Sequence, residues 1–178
     1  MTDKRIRLAF VGAAHVHFRG LMTAALDSPT AEVVGVVEED DELRDHYARE
    51  FSTVPGFARA EEMYEAAKPQ AIITCADNRS AADVVAEAAA RGVHVMKEKP
   101  MAATLGLAER MATTAARHGS RLMVNWPTNW WPSLHHAKKL VDEGQIGRVW
   151  QVYHRVGHGG PPPTTASKDR RRAWVGAG

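Results

Sequence analysis

From Ile6 onward, apolar runs of strand length alternate with amphipathic stretches of helical period, and this alternation admits few folds. Ile6, Leu8, Phe10 and Val11 form a run that ends at Gly12, and His17 to Leu26 then reads as a helix with Phe18, Leu21, Met22 and Ala25 on one face. Glu32 to Val37 predicts a second strand, Asp41 to Phe51 a helix, Val54 to Phe57 a short strand interrupted by Pro55, and Glu61 to Ala67 a helix stopping at Lys68-Pro69. Ala71 to Thr74, Val93 to Met96 and Arg121 to Val124 predict further strands. Between them lie an alanine-rich helix over Ser80 to Arg91, ended by Gly92, and a helix over Thr104 to His118, ended by Gly119. Repeated βα units of this length predict an α/β fold class, a doubly wound parallel sheet with helices on both faces.

The turn after the first strand fits a Rossmann-type sheet. There, missing side chains let backbone amides approach a pyrophosphate at the positive end of a helix. The letters are Gly12-Ala13-Ala14-His15-Val16-His17, so one glycine of the Gly-x-Gly-x-x-Gly pattern is kept, Ala14 is a mild replacement and His17 a large one. The second strand runs into Glu38-Glu39-Asp40-Asp41-Glu42, with Glu38 at the tip and 26 positions after Gly12. An acid there accepts hydrogen bonds from both ribose hydroxyls and disfavours a 2'-phosphate, which points to NAD rather than NADP. The same run also reads as the solvated first turn of the next helix, where carboxylates suit the helix dipole.

The 178 residues hold one ordinary domain and part of another, and a formal charge of +2 excludes nothing but a strongly basic nucleic-acid binder. Lys168, Arg170, Arg171 and Arg172 read as a solvated basic tail. Cys75, the only cysteine, has no internal disulfide partner, and neither a secretory h-region nor a membrane-length apolar run occurs, so the expected location is the cytoplasm.

Ala90-Arg91-Gly92-Val93-His94-Val95-Met96-Lys97-Glu98-Lys99-Pro100 resembles the Ala-Gly-Lys-His-Val-x-x-Glu-Lys-Pro segment of the Gfo/Idh/MocA oxidoreductases, named for glucose-fructose oxidoreductase, inositol dehydrogenase and a rhizopine-catabolism protein. Leu140 to Val149 is similar to the passage that opens that family's second domain, and the resemblance spans roughly Arg5 to Arg155. It implies that Lys99 is the catalytic lysine beside the nicotinamide, hydrogen-bonding the substrate oxygen as hydride moves. Glu98 would orient the lysine or the cofactor, and Lys97 is expected to face water. A cis peptide before Pro100 cannot be read from the letters.

Ala76-Asp77-Asn78-Arg79-Ser80-Ala81 stands where the family has Thr-Pro-Asn-x-x-His, so Asn78 is kept and Ala81 replaces the histidine. Asn125-Trp126-Pro127-Thr128-Asn129-Trp130-Trp131-Pro132 occupies the place of an Arg-Phe-x-Pro stretch, with Asn129 for the arginine. The cofactor-binding set expected on these grounds is Gly12, Ala14, His15, His17, Glu38, Asp77, Asn78, Glu98 and Asn125. Trp130 and Trp131 either wall a sugar-sized substrate or fill a hinge. His15-x-His17 also opens the barrels of metal-dependent amidohydrolases, but a chain of this length is short for such a barrel, and His135, His136, His154 and His158 add no converging carboxylate or cysteine; no metal is expected.

The expected domains are residues 1–124, which bind NAD(P), and residues 125–178, the start of a truncated α+β second domain whose first strand is Val149 to Arg155. A Gly159-Gly160-Pro161-Pro162-Pro163 loop follows. The family's Asp-x-x-x-His pair is absent from the sequence, which therefore reads as a fragment or as a chain covered by another. The resemblance implies an NAD(P)-dependent oxidoreductase acting on a sugar, polyol or related hydroxy compound, and a homo-oligomer when the second domain is complete. No nucleic-acid or membrane partner is expected. The alternative is a dinucleotide-binding or scaffold module without turnover.

Overall fold

The computed structural model describes residues 5–157. Six strands form one sheet: β1 (Ile6–Val11), β2 (Ala31–Val37), β3 (Gly56–Phe57), β4 (Ala71–Thr74), β5 (His94–Glu98) and β6 (Leu122–Asn125). Their order is β3-β2-β1-β4-β5-β6, and β1 pairs in parallel with β2 on one side and with β4 on the other. The helices are α1 (Phe18–Leu26), α2 (Asp41–Glu50), α3 (Ala60–Ala67), α4 (Ala81–Ala90), α5 (Leu105–Arg117) and α6 (Pro132–Asp142). This is the doubly wound parallel arrangement expected from the sequence.

The core lies on both faces of the sheet, as a parallel sheet covered by crossover helices requires. Ala9, Val11, Val34, Val37, Ile72 and Val95 pack with Met63, Val85, Ala88 and Met111. Phe10, Val36 and Ile73 pack with Phe18, Met22 and Leu43. Phe10 meets Phe18 edge to face, with ring centroids 5.5 Å apart. Neighbouring strand residues thus feed opposite layers, except at the irregularity of β2, where Val34 and Val36 fall on opposite faces. Helix starts are set locally: Asp40 caps α2 by accepting from the Leu43 amide at 2.9 Å, and Thr104 caps α5 by accepting from the Leu107 amide at 3.3 Å.

Most helix ends fall within one residue of expectation, but three strands differ. Only Gly56 and Phe57 of the expected Val54-to-Phe57 strand pair with β2. Pro55 brings no N–H, so it contributes only its carbonyl, which accepts from the Val36 amide at 2.9 Å. The strand expected to stop at Met96 continues through Lys97 and Glu98, with Lys97 in register beside Thr74. Residues 149–155, expected to open a second sheet, form no strand among the described residues, and Trp150, Val152 and Tyr153 are exposed. An extended segment is stabilised by ladder bonds to a neighbour, and no described strand supplies them here.

The chain divides into two compact units between Val124 and Asn125. The second, as far as it is described, holds a 3-10 turn over Pro127–Trp130 followed by α6. His158, the Gly159-to-Pro163 loop and the basic cluster at Lys168 to Arg172 lie outside the described residues. Among the described residues, no helix is long and apolar enough to cross a membrane.

Candidate active site

In a sheet of this order the connections leave β1 and β4 in opposite directions, opening a crevice at their carboxyl ends. Four segments meet there: the turn after β1, the tip of β2, the loop after β4 and the end of β5.

The turn is held very close to the sheet. Gly12 has φ +79°, its amide donates to the Val37 carbonyl at 2.9 Å, and a Cβ at this position would lie 2.9 Å from the Ala76 backbone nitrogen. Only glycine fits that approach. Thr74, fully buried, braces the far side: its hydroxyl donates to the Val11 carbonyl at 3.2 Å and accepts from the Ala76 amide at 3.2 Å.

Glu38 is buried at the tip of β2 and is not a solvated helix-start residue. One carboxylate oxygen accepts from the Ala13 amide at 2.8 Å and the other from the Asp40 amide at 3.1 Å. A carboxylate has about four acceptor directions, so two amides and two ribose hydroxyls are within its capacity.

His15 is buried, and its Nδ1 accepts from the His17 amide at 3.0 Å. Burial, aided by the charges of His17, Lys99 and Lys97, lowers its pKa to about 3, so the ring is neutral at any ordinary pH. His17 is 40 % exposed, and its Nδ1 lies 3.0 Å from the Oε1 of Glu98, whose side chain is 0 % exposed. The donor atoms of His15, His17 and Glu98 lie within 4.8 Å of one another, the one grouping among the described residues with the makeup of a cation site.

Lys97 does not face water. It is fully buried, and its ammonium donates to the Glu98 carbonyl at 2.6 Å. Burial lowers its pKa to about 8, against the raising influence of Cys75, Glu98 and Asp77. A charged pair after apolar residues reads as a loop, yet Lys97 continues the parity of Val95 on the same sheet face, and that continuation was the available signal. Lys99 is half-buried and followed by a cis peptide to Pro100.

In the loop after β4, Asp77 is exposed and binds the start of α4, accepting from the Arg79 and Ser80 amides at 2.7 and 3.0 Å. Asn78 is buried with its side-chain oxygen lacking a hydrogen-bond partner, and Ala81 is fully buried. Such an orphaned acceptor is costly unless a ligand completes it. Ala14 is half-buried in the turn. The glycine cradle, the acid at the β2 tip and the Asn78 oxygen fit a dinucleotide by their chemistry. In the second unit, Asn125 is buried and its side-chain oxygen accepts from the Trp130 indole at 3.0 Å, while Trp126, Trp130 and Trp131 are exposed.

Comparison with known proteins agrees with this geometry. Residues 6–126 match the model of an oxidoreductase family with an NAD-binding Rossmann fold, GFO_IDH_MocA. The chain is 30% identical over 155 residues to D-xylose 1-dehydrogenase [NADP(+)] of Haloarcula marismortui, covering 85% of this chain and 43% of that protein. It is 27% identical over 151 residues to the rhizopine catabolism protein MocA of Rhizobium meliloti, covering 83% and 46% respectively. Its fold superposes with a TM-score of 0.74 on the WlbA dehydrogenase of Bordetella pertussis, solved with NADH and UDP-GlcNAcA, at 24% identity and covering 83% of this chain and 42% of that one. The chain thus spans less than half the length of these relatives.

Proposed function

The chain belongs to the Gfo/Idh/MocA oxidoreductase family, and from that premise we propose that it is the nucleotide-binding part of an NAD-dependent dehydrogenase acting on a sugar or polyol. The observation that carries this reading is the crevice between β1 and β4, where the Gly12 turn lies against Ala76 and Glu38 closes the β2 tip while β5 ends in Glu98, with Lys99 next in the chain.

Bound NAD supplies a hydride acceptor, and the protein's residues do the rest. The amides of the Gly12-to-His15 turn, at the start of α1, face the pyrophosphate, with Ala14 leaving room for it and His15 and His17 beside it. Glu38 takes the ribose hydroxyls and selects NAD over NADP. Asp77 holds the loop in which Asn78 offers its oxygen, and Asn125, the last residue of β6, is a further cofactor-binding candidate. Glu98 orients the nicotinamide end. Lys99 donates to the substrate oxygen, stabilising the negative charge that builds there as the carbon-bound hydrogen departs. The resemblance to a D-xylose dehydrogenase supports a sugar as substrate.

The test is a calorimetric titration with NAD+ and NADP+, then a scan of the reduced-nicotinamide absorbance band over D-xylose and a polyol panel. NAD+ is expected to bind more tightly, and Lys99→Ala to abolish turnover with NAD+ affinity nearly unchanged. Failure of both nucleotides to bind overturns the reading.

A further inference from the structure

In the letters, His15-x-His17 has no converging carboxylate; the fold supplies one, Glu98, 81 positions after His17. We infer that His15, His17 and Glu98 bind a divalent transition-metal ion of the zinc class, which takes the place of the hydrogen that His17 and Glu98 share. This reverses the expectation of no metal. It goes beyond the dehydrogenase reading and its test contains no nucleotide.

Each ligand stands on a separate, well-anchored piece of backbone. His15 lies in the turn after β1, His17 is the N-terminal cap of α1, and Glu98 is the last residue of β5. His15 and Glu98 are buried, so neither carries its polar atoms into water when no ion is bound. The two imidazoles meet edge to face with centroids 4.7 Å apart, and the three donor atoms all lie within 4.8 Å of one another. The Nδ1 of His17 is 3.0 Å from the Oε1 of Glu98. Two ligands on a tetrahedral zinc, each at about 2.0–2.1 Å, stand about 3.3 Å apart, so this pair already has the required bite. His15 turns its ring to complete the set and gives up the His17 amide, from which its Nδ1 accepts at 3.0 Å. One coordinate bond in a shielded site outweighs one hydrogen bond to an amide.

The ligand types select the ion. Two imidazoles and one carboxylate suit zinc and its transition-metal neighbours, whereas magnesium and calcium call for oxygen ligands. The Glu98 carboxylate offsets part of the ion's charge. Lys97 and Lys99 act by charge on the same His15 ring, so they weaken the site relative to an isolated pair of histidines and a glutamate. Three protein ligands leave one tetrahedral position open, and with Glu98 0 % and His17 40 % exposed, water reaches it from the side of His17.

The full chain, stripped with a chelator, is titrated with Zn2+ in competition with a chromophoric chelator, and with Co2+ while its visible absorption is followed. About one Zn2+ per chain is expected, with Co2+ giving the intense d–d bands of a four-coordinate ion. His17→Ala and Glu98→Gln should each weaken Zn2+ roughly tenfold or more, while His135→Ala, on α6, leaves it unchanged. Circular dichroism reports whether each variant folds; if Glu98→Gln does not, His17→Ala, at a partly exposed position, decides alone. No stoichiometric Zn2+ binding, or binding that His17→Ala leaves intact, overturns the proposal. Absence of NAD+ binding in the separate nucleotide titration defeats the dehydrogenase reading and leaves the metal result standing.

Discussion

The backbone amide of Ala13 donates to the Glu38 carboxylate at 2.8 Å, so the acid that ends β2 also anchors the turn that follows β1. One side chain therefore shapes the cradle and, in the function proposed above, would also face the nucleotide.

Glu38→Ala removes both. It leaves the Ala13 and Asp40 amides without this acceptor, a loss of about 1–3 kcal/mol in urea unfolding. In parallel titrations, NAD+ affinity should fall roughly tenfold while NADP+ affinity falls less or rises. Equal losses for both nucleotides would remove Glu38 from ribose recognition.

Gly12→Ala places a methyl group 2.9 Å from the Ala76 nitrogen at a residue with φ +79°. The expected destabilisation is about 1–3 kcal/mol by equilibrium unfolding, accompanied by loss of nucleotide binding. Gly92→Ala is the control, since it has φ +70° but meets nothing within 4 Å; it should weaken folding through the backbone alone and leave binding intact.

Lys97 carries a pH signature. Its folded pKa of about 8 lies below the 10.5 of a free lysine, so between these values the unfolded chain holds more protons than the folded one, and stability contributed by this residue rises with pH. The burial cost, roughly 3 kcal/mol at neutral pH, fades as pH climbs from about 8 to 10.5. Unfolding curves of the natural chain and Lys97→Met, compared across that window, should converge or cross in favour of the natural chain. Parallel curves would place the ammonium in water.

Cys75 should be inert. Burial, reinforced by the charge of Glu98 and opposed by Lys97, pushes its thiol up to about 12. At pH 8 a thiol reagent should label the folded chain negligibly and label it stoichiometrically once urea unfolds it. Rapid labelling of the folded chain would mean that the floor of the crevice opens to solvent.

Much of this was written in the order of residues. The parity of Phe10 and Val11, or of Ile72 and Ile73, sends neighbours to opposite sheet faces, and Gly92 ends α4 as its position demands. The Glu-Lys-Pro segment was legible through its resemblance to the family's motif, and the place of Glu38 at the tip of β2 through the apolar run that precedes it. The burial of Lys97 was less so, since polarity argues for water and the one local signal against it is the continued parity of Val95, which the pairing with Thr74 bears out. The contact between His17 and Glu98 was equally hidden: each was assigned to the cleft, but what joins them is the approach of α1 to the end of β5, which no local pattern encodes. Pro55 misled in the other direction, because a run of strand-like letters lacked one needed donor.

The placement of β1 between β2 and β4 has a consequence for biosynthesis. A ribosome that has released the chain only as far as Pro69 has delivered one of the two strands that flank β1 in the folded sheet, because the second, Ala71–Thr74, has yet to emerge. Until it does, the Val11 carbonyl lacks the Cys75 amide and Thr74 hydroxyl that hold it in the finished protein, and the nascent chain presents an unzipped seam to whatever guards it.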